Sequence, residues 1–350
     1  MLKSLSVRNF TVFGEEQLDF CPDLNVLVGE NATGKTHLLK LAYTLLNTTA
    51  AGRGNMQPTE PTKDWLQRAL ADKLCAVLGA EGLGRIVRRR RGRERCEVEA
   101  VFGDGRGRLT FSFATNSRSE VTVDELPDRW GETVPVYLPT RELLTIYPGF
   151  VPLYDTRHLE FEETWRDTCV LLGSPALRGP RATGIAALMA PLEEAMGGRV
   201  DLDRNGRFYL DTVGQGRLEL PLVAEGHRKL AMLARLIATG SLLDKGCLLW
   251  DEPEANLNPR LIHGLASTIL DLSQAGPQVF IATHSLYQLR ELDILLRDER
   301  YARLTRLFIG LQPDADGLVS VVQSDSVDGI GTIAALEAEL EQADRYLESD

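Results

Sequence analysis

The chain has 350 residues, 43% of them hydrophobic and 25% charged, a mixture that suits a globular protein with a sizeable buried core. A formal net charge of −11 argues against a surface built for wholesale phosphate-backbone binding, and no run of 18 apolar residues exists to cross a membrane. Five scattered cysteines (Cys21, Cys75, Cys96, Cys169, Cys247), without CxxC pairs or histidine companions, exclude a disulfide framework or zinc site and read as small core residues of a reducing cytoplasm.

In chain order, MLKSLSVRNF lacks the apolar stretch of a signal peptide and reads directly as a strand. After a turn and a second strand comes LNVLV (Leu24 to Val28), which ends in a glycine-bearing loop and is followed by an apolar helix from about Lys35 to Leu46. Residues 48 to 62 are small, polar and proline-rich and read as a surface loop. Asp64 to Leu78 reads as an amphipathic helix, and residues 84 to 115 alternate in strand fashion, most clearly in EVEAVF and RLTFSF. VPVYLP (Val134 to Pro139) is a buried strand. From Tyr154 to Met196 the pattern is helical, interrupted by GSPALRGPRATG. GRVDLD and GRFYLD are short strands about an Asn205-Gly206 turn. A helix starts near Gly226, CLLW (Cys247 to Trp250) is an apolar strand, and a helix at about 260 to 274 leads into the strand QVFIAT. A helix follows Ser285. The tail from Thr332 to Leu347 sets Ile333, Leu336, Leu340, Ala343 and Leu347 on one face, for docking on the body or for a partner helix.

Four pieces carry chemistry. Gly29-Glu30-Asn31-Ala32-Thr33-Gly34-Lys35-Thr36 matches G-x-x-x-x-G-K-[ST] between a buried strand and a helix. Its backbone N–H groups would turn inward around phosphates at a positive helix start, Lys35 would reach the β- and γ-phosphates, and Thr36 would ligate Mg²⁺. The apolar strand ending Asp251-Glu252-Pro253 needs partners for its acids: Asp251 is the second candidate Mg²⁺ ligand and Glu252 the candidate general base for an attacking water. His284, at the end of QVFIAT and 32 residues after Glu252, would reach the γ-phosphate and that water from the neighbouring strand. Fourth, LVAEGHRK (Leu222 to Lys229) opens a helix whose N–H groups, at Glu225 and Gly226, can bind the γ-phosphate of a nucleotide held by another subunit.

The order of P-loop, signature helix, acidic strand, D-loop and switch histidine resembles the ABC-type ATPase superfamily, and within it the RecF/SMC/OLD-like branch. LKSLSVRNFTVF…LDF…LNVLVGENATGKT looks like the first β-hairpin and P-loop of that branch. EGHRKLAMLARLI, LLWDEPEANLNP and FIATHS look most like the compact AAA-annotated ATPases encoded in bacterial anti-phage and toxin-like modules. The similarity covers about 1 to 47 and 217 to 292. It implies an α/β fold with a parallel core sheet, an antiparallel β-subdomain and a helical lobe. The halves would span 1–150 and 217–330, around a mostly helical segment at 151–216 and before a terminal helix at 331–350. Departures from the family pattern fall at Ala224, where a serine usually meets the γ-phosphate, at Glu225 for glycine, at His227 for glutamine, and at Asn258 for the D-loop aspartate. YLPTRELL is the nearest candidate Q-loop, with Glu142 or Arg141 in place of glutamine.

The resemblance implies Mg²⁺-dependent ATP binding and hydrolysis by a homodimer that sandwiches two nucleotides. Such a dimer would switch a partner effector such as a nuclease or toxin, or act on DNA, in anti-phage defence or DNA maintenance. A slowly hydrolysing, ATP-bound scaffold that sequesters a toxin or nuclease is the alternative. The motor subunit of a membrane transporter fits the signature poorly. The helical stretch is too short for the coiled-coil arm of an SMC protein, and the 65 residues after Ser285 are too few for the nuclease domain of an OLD protein. Asp314 and Asp316, in QPDADG, read as a turn. Arg85 to Arg95 holds seven arginines in eleven positions, for nucleic-acid phosphates, for an acidic partner, or as a solvated strand and turn.

Overall fold

A computed structural model describes residues 1–51, 57–88, 92–157, 159–214, 216–243, 246–315, 317–331 and 334–349. The first half contains β1 (Leu2–Phe10), β2 (Phe13–Asp19), β3 (Leu24–Gly29), α1 (Lys35–Thr48), α2 (Lys63–Leu78), β4 (Arg95–Phe102), β5 (Arg108–Ala114), β6 (Thr122–Glu125) and β7 (Val136–Leu138). The helices α3 (Tyr147–Thr156), α4 (Glu163–Leu172) and α5 (Pro180–Met196) follow, then β8 (Gly198–Leu202), β9 (Phe208–Thr212) and β10 (Gly216–Glu219). The remainder comprises α6 (Glu225–Ala238), β11 (Cys247–Asp251), α7 (Pro259–Gln274), β12 (Gln278–Thr283), α8 (Leu286–Leu295), β13 (Arg306–Pro313), β14 (Val319–Ser324) and α9 (Ala334–Glu348).

Among the described residues the strands form three sheets. The central one runs β14-β13-β3-β12-β11-β7, with every pairing parallel except that of β13 with β14. The strand before the P-loop, the acidic strand and the strand before His284 are therefore consecutive neighbours, and their C-terminal ends open on one edge, where ligands sit in open α/β sheets. An antiparallel sheet, β2-β1-β4-β5-β6, and a small one, β10-β9-β8, complete the set.

The alternation of strand side chains divides the core in two. Leu24, Val26, Val28, Leu248, Trp250, Val279 and Ile281 face α6, α7 and α8 on one side. Leu27, Leu249, Phe280, Ala282 and Ile309 face α1, α2 and the antiparallel sheet on the other. Both faces are covered, which is why these strands read as unbroken apolar runs.

Several expectations are corrected. Thr48, Thr49 and Ala50 are buried rather than on a surface loop: α1 continues through Thr48, and Thr49 Oγ1 donates to Leu45 O at 2.7 Å and accepts from Arg106 at 2.6 Å. Among the described residues of 84–115, regular strand begins at Arg95; before it lie a single turn at Leu83–Arg85 and an isolated bridge from Val87 to Phe10, and residues 89–91 lie outside the described residues. The expected break narrows to 173–179, because Pro180 starts α5 instead of ending a helix, and a second break separates α3 from α4. Asp314 does form a turn, its side chain accepting from Leu318 N at 2.7 Å, while Asp316 lies outside the described residues. So do Ile333 and the side chains of Leu336 and Leu340; Leu347 is exposed. No helix among the described residues is long and apolar enough to cross a membrane.

Candidate nucleotide site

The loop between β3 and α1 curls because Ala32 (φ 66°) and Gly34 (φ 87°) take left-handed conformations that turn consecutive N–H groups inward. Glycine is required at position 34, where a Cβ would also lie 2.7 Å from Val12 and from Phe13. Thr33 Oγ1 donates to Glu30 O at 2.9 Å and pins the curl. Lys35 folds back over it, its ammonium donating to Gly29 O at 2.8 Å and Glu30 O at 2.7 Å. Burial lowers the pKa of this lysine, while Glu252, Asp251, Glu254 and Glu30 pull the other way. Asn31 and Glu30 line the outer rim.

Across the loop, Thr36 Oγ1 donates to Asp251 Oδ2 at 2.8 Å, joining residues 215 positions apart. Asp251 is buried, and its second oxygen, Oδ1, has no well-formed hydrogen bond, although the buried Tyr137 hydroxyl interacts with this carboxylate. Burial raises its carboxyl above the ordinary range despite Thr36 and the ammonium groups of Lys40 and Lys35. An orphaned buried carboxylate oxygen beside a threonine hydroxyl is a hard-oxygen donor pair that fits Mg²⁺.

Glu252 follows at the strand end with φ 48°, and its N–H donates to Ala282 O at 2.9 Å. His284 Nδ1 lies 2.8 Å from Glu252 Oε1, at hydrogen-bond distance but without good alignment. Lys35, Thr36, Asp251, Glu252 and His284 are thus brought to one edge of the central sheet. An open cavity of about 490 Å³, lined by Thr11, Val12, His37, Leu78, Ile86 and Arg88 among others, flanks the first turn of α1.

At the start of α6 Glu225 is exposed and Gly226 is buried, and Ala224 provides no side-chain cap. Glu225 Oε1 accepts from Asn256 Nδ2 at 3.0 Å, and a Cβ on Gly226 would approach Asn256 O and Leu257 to 3.0 Å. The start of the signature helix therefore rests against the turn after the acidic strand. Of the two candidates for the Q-loop position, Arg141 is exposed, whereas Glu142 is buried and lies 2.9 Å from Arg228 Nε on the signature helix. Asn258, in the D-loop position, caps α7 by accepting from Leu261 N at 3.1 Å.

Two functional candidates escape motif reading. Lys229, only 2% exposed, donates to Glu252 O at 2.6 Å and Ala255 O at 3.2 Å. Glu254, also buried, accepts from Thr283 Oγ1 at 2.6 Å. A signal for the first existed: helical spacing puts Lys229 on the same buried face as Leu233 and Leu236, an unusual place for a lysine.

In the arginine-rich stretch, Arg95 bonds Ser112 Oγ at 2.7 Å and Arg85 lies 3.6 Å from Glu81; residues 89–91 fall outside the described residues.

A family model described as "AAA domain, putative AbiEii toxin, Type IV TA system" matches residues 84–290, and one described as "AAA ATPase domain" matches residues 1–77. The chain is similar to the DNA replication and repair protein RecF of Staphylococcus haemolyticus, at 50% identity over 44 residues, 13% of this chain and 12% of the relative. It is also similar to RecF of Streptococcus uberis, at 37% over 83 residues, 23% of this chain and 22% of the relative. The matched part thus spans only 12% and 22% of these curated relatives. Among solved structures, an SMC head bound to the C-terminal winged-helix domain of ScpA superposes with a TM-score of 0.59 at 14% identity, covering 93% of this chain and 98% of that one. An SMC head with an extended coiled coil, bound to the C-terminal domain of ScpA derived from Pyrococcus furiosus, gives 0.57 at 12% identity, covering 99% and 98%. These likenesses concern the fold.

Proposed function

This chain belongs to the AAA-domain family whose model covers residues 84–290 and is an ABC-type P-loop ATPase of RecF/SMC-like fold, and from that premise we propose that Mg²⁺-ATP closes two copies into a sandwich that hydrolysis reopens. The observation that carries this reading is the 2.8 Å bond from Thr36 to Asp251 beside the orphaned Asp251 Oδ1.

Lys35 exchanges its bonds to Gly29 O and Glu30 O for oxygens of the β- and γ-phosphates, with the N–H groups of Gly29 to Thr36 cradling the chain of phosphates. Thr36 Oγ1 and Asp251 hold Mg²⁺, which when bound neutralises charge on the β- and γ-phosphates. Glu252 accepts the proton of the attacking water as general base, and His284 orients that water and the γ-phosphate. The cavity lined by Val12 and His37 accommodates base and sugar. The N–H groups of Glu225 and Gly226 approach the γ-phosphate held by the second copy.

The closed dimer controls a separate effector, such as a nuclease or toxin, or acts on DNA, in anti-phage defence or DNA maintenance, inside the cytoplasm. The toxin–antitoxin wording of the family description and the repair role in the RecF names support this reading. Nucleic acid would be contacted through Arg85 to Arg95. Titration calorimetry with Mg²⁺-ATP tests the site: Lys35→Ala should abolish binding. Glu252→Gln should retain ATP and accumulate dimer in light scattering. A Glu252→Gln protein that turns over at the wild-type rate would disprove the general-base assignment.

A slowly hydrolysing scaffold that sequesters its toxin or nuclease is favoured by one observation, the acidic Glu225 in the first turn of α6. Turnover unaffected by nucleic acid, together with tightly retained nucleotide, would select it over the switch.

A further inference from the structure

Behind Glu252 and His284 lies a buried polar cluster that no motif accounts for. Glu254 Oε1 accepts from Thr283 Oγ1 at 2.6 Å, and Oε2 is buried with no hydrogen-bond partner. The same Thr283 hydroxyl accepts from Ser285 N at 3.0 Å. One hydroxyl thus clamps the main chain on both sides of His284 and is itself anchored to Glu254.

From the opposite side, Lys229 reaches out of α6 and donates to the carbonyls of Glu252 and Ala255, the two ends of the turn that carries Glu254. Ala255 N closes that turn onto Glu252 O at 3.1 Å. Glu252 has φ 48°, a left-handed conformation that a non-glycine residue keeps only when its surroundings enforce it. The ammonium bound to its carbonyl is such an enforcement.

A buried acid and a buried lysine are costly choices for mere packing. Burial raises Glu254 above the ordinary carboxyl range and lowers Lys229 to about 8, each partly opposed by the other's charge.

We propose that Glu254 and Lys229 are positioning residues of the ATPase: Glu254, through Thr283, fixes the main chain that presents His284, and Lys229 fixes the backbone that presents Glu252. Neither touches nucleotide. Because Lys229 lies one turn into α6, a displacement of the signature helix reaches the carbonyl of Glu252 directly. The inference rests on the roles given above to Glu252 and His284.

The test measures steady-state ATPase and Mg²⁺-ATP binding on the full chain. Thr283→Val, which removes the hydroxyl at constant shape, and Glu254→Ala should each lower kcat by about 10- to 100-fold, the range expected for misplaced reacting groups. Their Kd for Mg²⁺-ATP should stay within about twofold, because the P-loop contacts are untouched. Glu254→Gln, whose amide oxygen still accepts from Thr283, should recover most of kcat. The double variant Thr283→Val/Glu254→Ala should be no worse than either single variant. Lys229→Met should also lose kcat without loss of binding.

Unchanged kcat in Thr283→Val overturns the proposal, even if Glu254→Ala fails to fold. Loss of binding in parallel with kcat overturns it as well, since that marks general disruption. A wild-type chain that binds no Mg²⁺-ATP takes down the site reading itself, an outcome distinct from wild-type turnover that survives these substitutions.

Discussion

Replacing Asp251 with asparagine separates the stability of this site from its function. Asp251 is 7% exposed; Thr36 satisfies one oxygen, and the other has no well-formed hydrogen bond beside the buried Tyr137 hydroxyl. Burial opposes its charge and Glu252 adds repulsion, and together they outweigh the attraction of Thr36, Lys40 and Lys35. Ionised Asp251 is therefore a net cost to the nucleotide-free fold. Asparagine keeps the shape and an oxygen for Thr36 while removing the charge. A buried polar group left unsatisfied costs about 1–3 kcal/mol and a charged one more, so removing the charge gains on that order although the amide N–H groups still lack a partner. Unfolding entropy of about 2.1 cal/mol/K per residue, over 350 residues, converts each kcal/mol into about 1.4 °C. Asp251→Asn should therefore melt about 1–4 °C above wild type without nucleotide in scanning fluorimetry. It should also lose the Mg²⁺-dependent part of the rise that ATP gives the wild type. A variant that melts lower without nucleotide, or keeps the full Mg²⁺-dependent shift, refutes the reasoning.

Gly34→Ala should abolish ATP binding and lower the melting temperature by a few degrees, from roughly 1–3 kcal/mol of overpacking against Val12 and Phe13, added to a left-handed φ; calorimetric binding at the wild-type Kd would contradict it. In the proposed dimer Glu225→Gln would remove a charge close to the partner's γ-phosphate and should tighten ATP-dependent dimerisation about fivefold, on the order of 1 kcal/mol; ultracentrifugation showing an unchanged or weaker dimer would count against that arrangement. Burial raises both Asp251 and Glu254, so the folded chain holds protons that the unfolded chain has released. Their contribution to stability falls as pH rises from about 4 through their folded pKa values. Urea unfolding should find Asp251→Asn and wild type nearly equal at about pH 4, with the variant's advantage widening towards neutrality; a gap that narrows instead would invert the assignment.

The P-loop was legible because its requirements are local: a buried strand, a left-handed glycine at 34 and a helix lie within a dozen residues. The acidic strand and the histidine strand were legible as apolar runs, since both faces of the central sheet are covered. β13 escaped because the partner that defines it, β3, lies some 280 residues earlier, and β6 because four residues with one buried side chain give no periodicity. The strand reading misled between 84 and 94, where among the described residues only Val87 makes a bridge. Pro180 was read as a break although proline suits the first helical turn. Lys229 and Glu254 lie inside LVAEGHRK and LLWDEPEANLNP, but the motifs give them no role, because their partners are a hydroxyl and carbonyls on other elements.

The departures in the signature are absorbed largely inside one subunit. Glu225, standing where a glycine is usual, bonds Asn256, and Gly226 packs on the carbonyl of that residue. Glu142 pairs with Arg228, and Lys229 binds the turn after Glu252. Asn258 is committed to capping α7. The first turn of α6 is thereby tied to the acidic turn by a side chain, a close backbone contact and an ammonium group. What remains at its exposed tip is backbone N–H, since Ala224 brings no hydroxyl. A γ-phosphate arriving from a second copy would meet fewer side-chain donors than a serine-bearing signature offers, but a helix more firmly coupled to Glu252. On this geometry partner affinity should be modest, while the effect of partner docking on the hydrolytic step should be large.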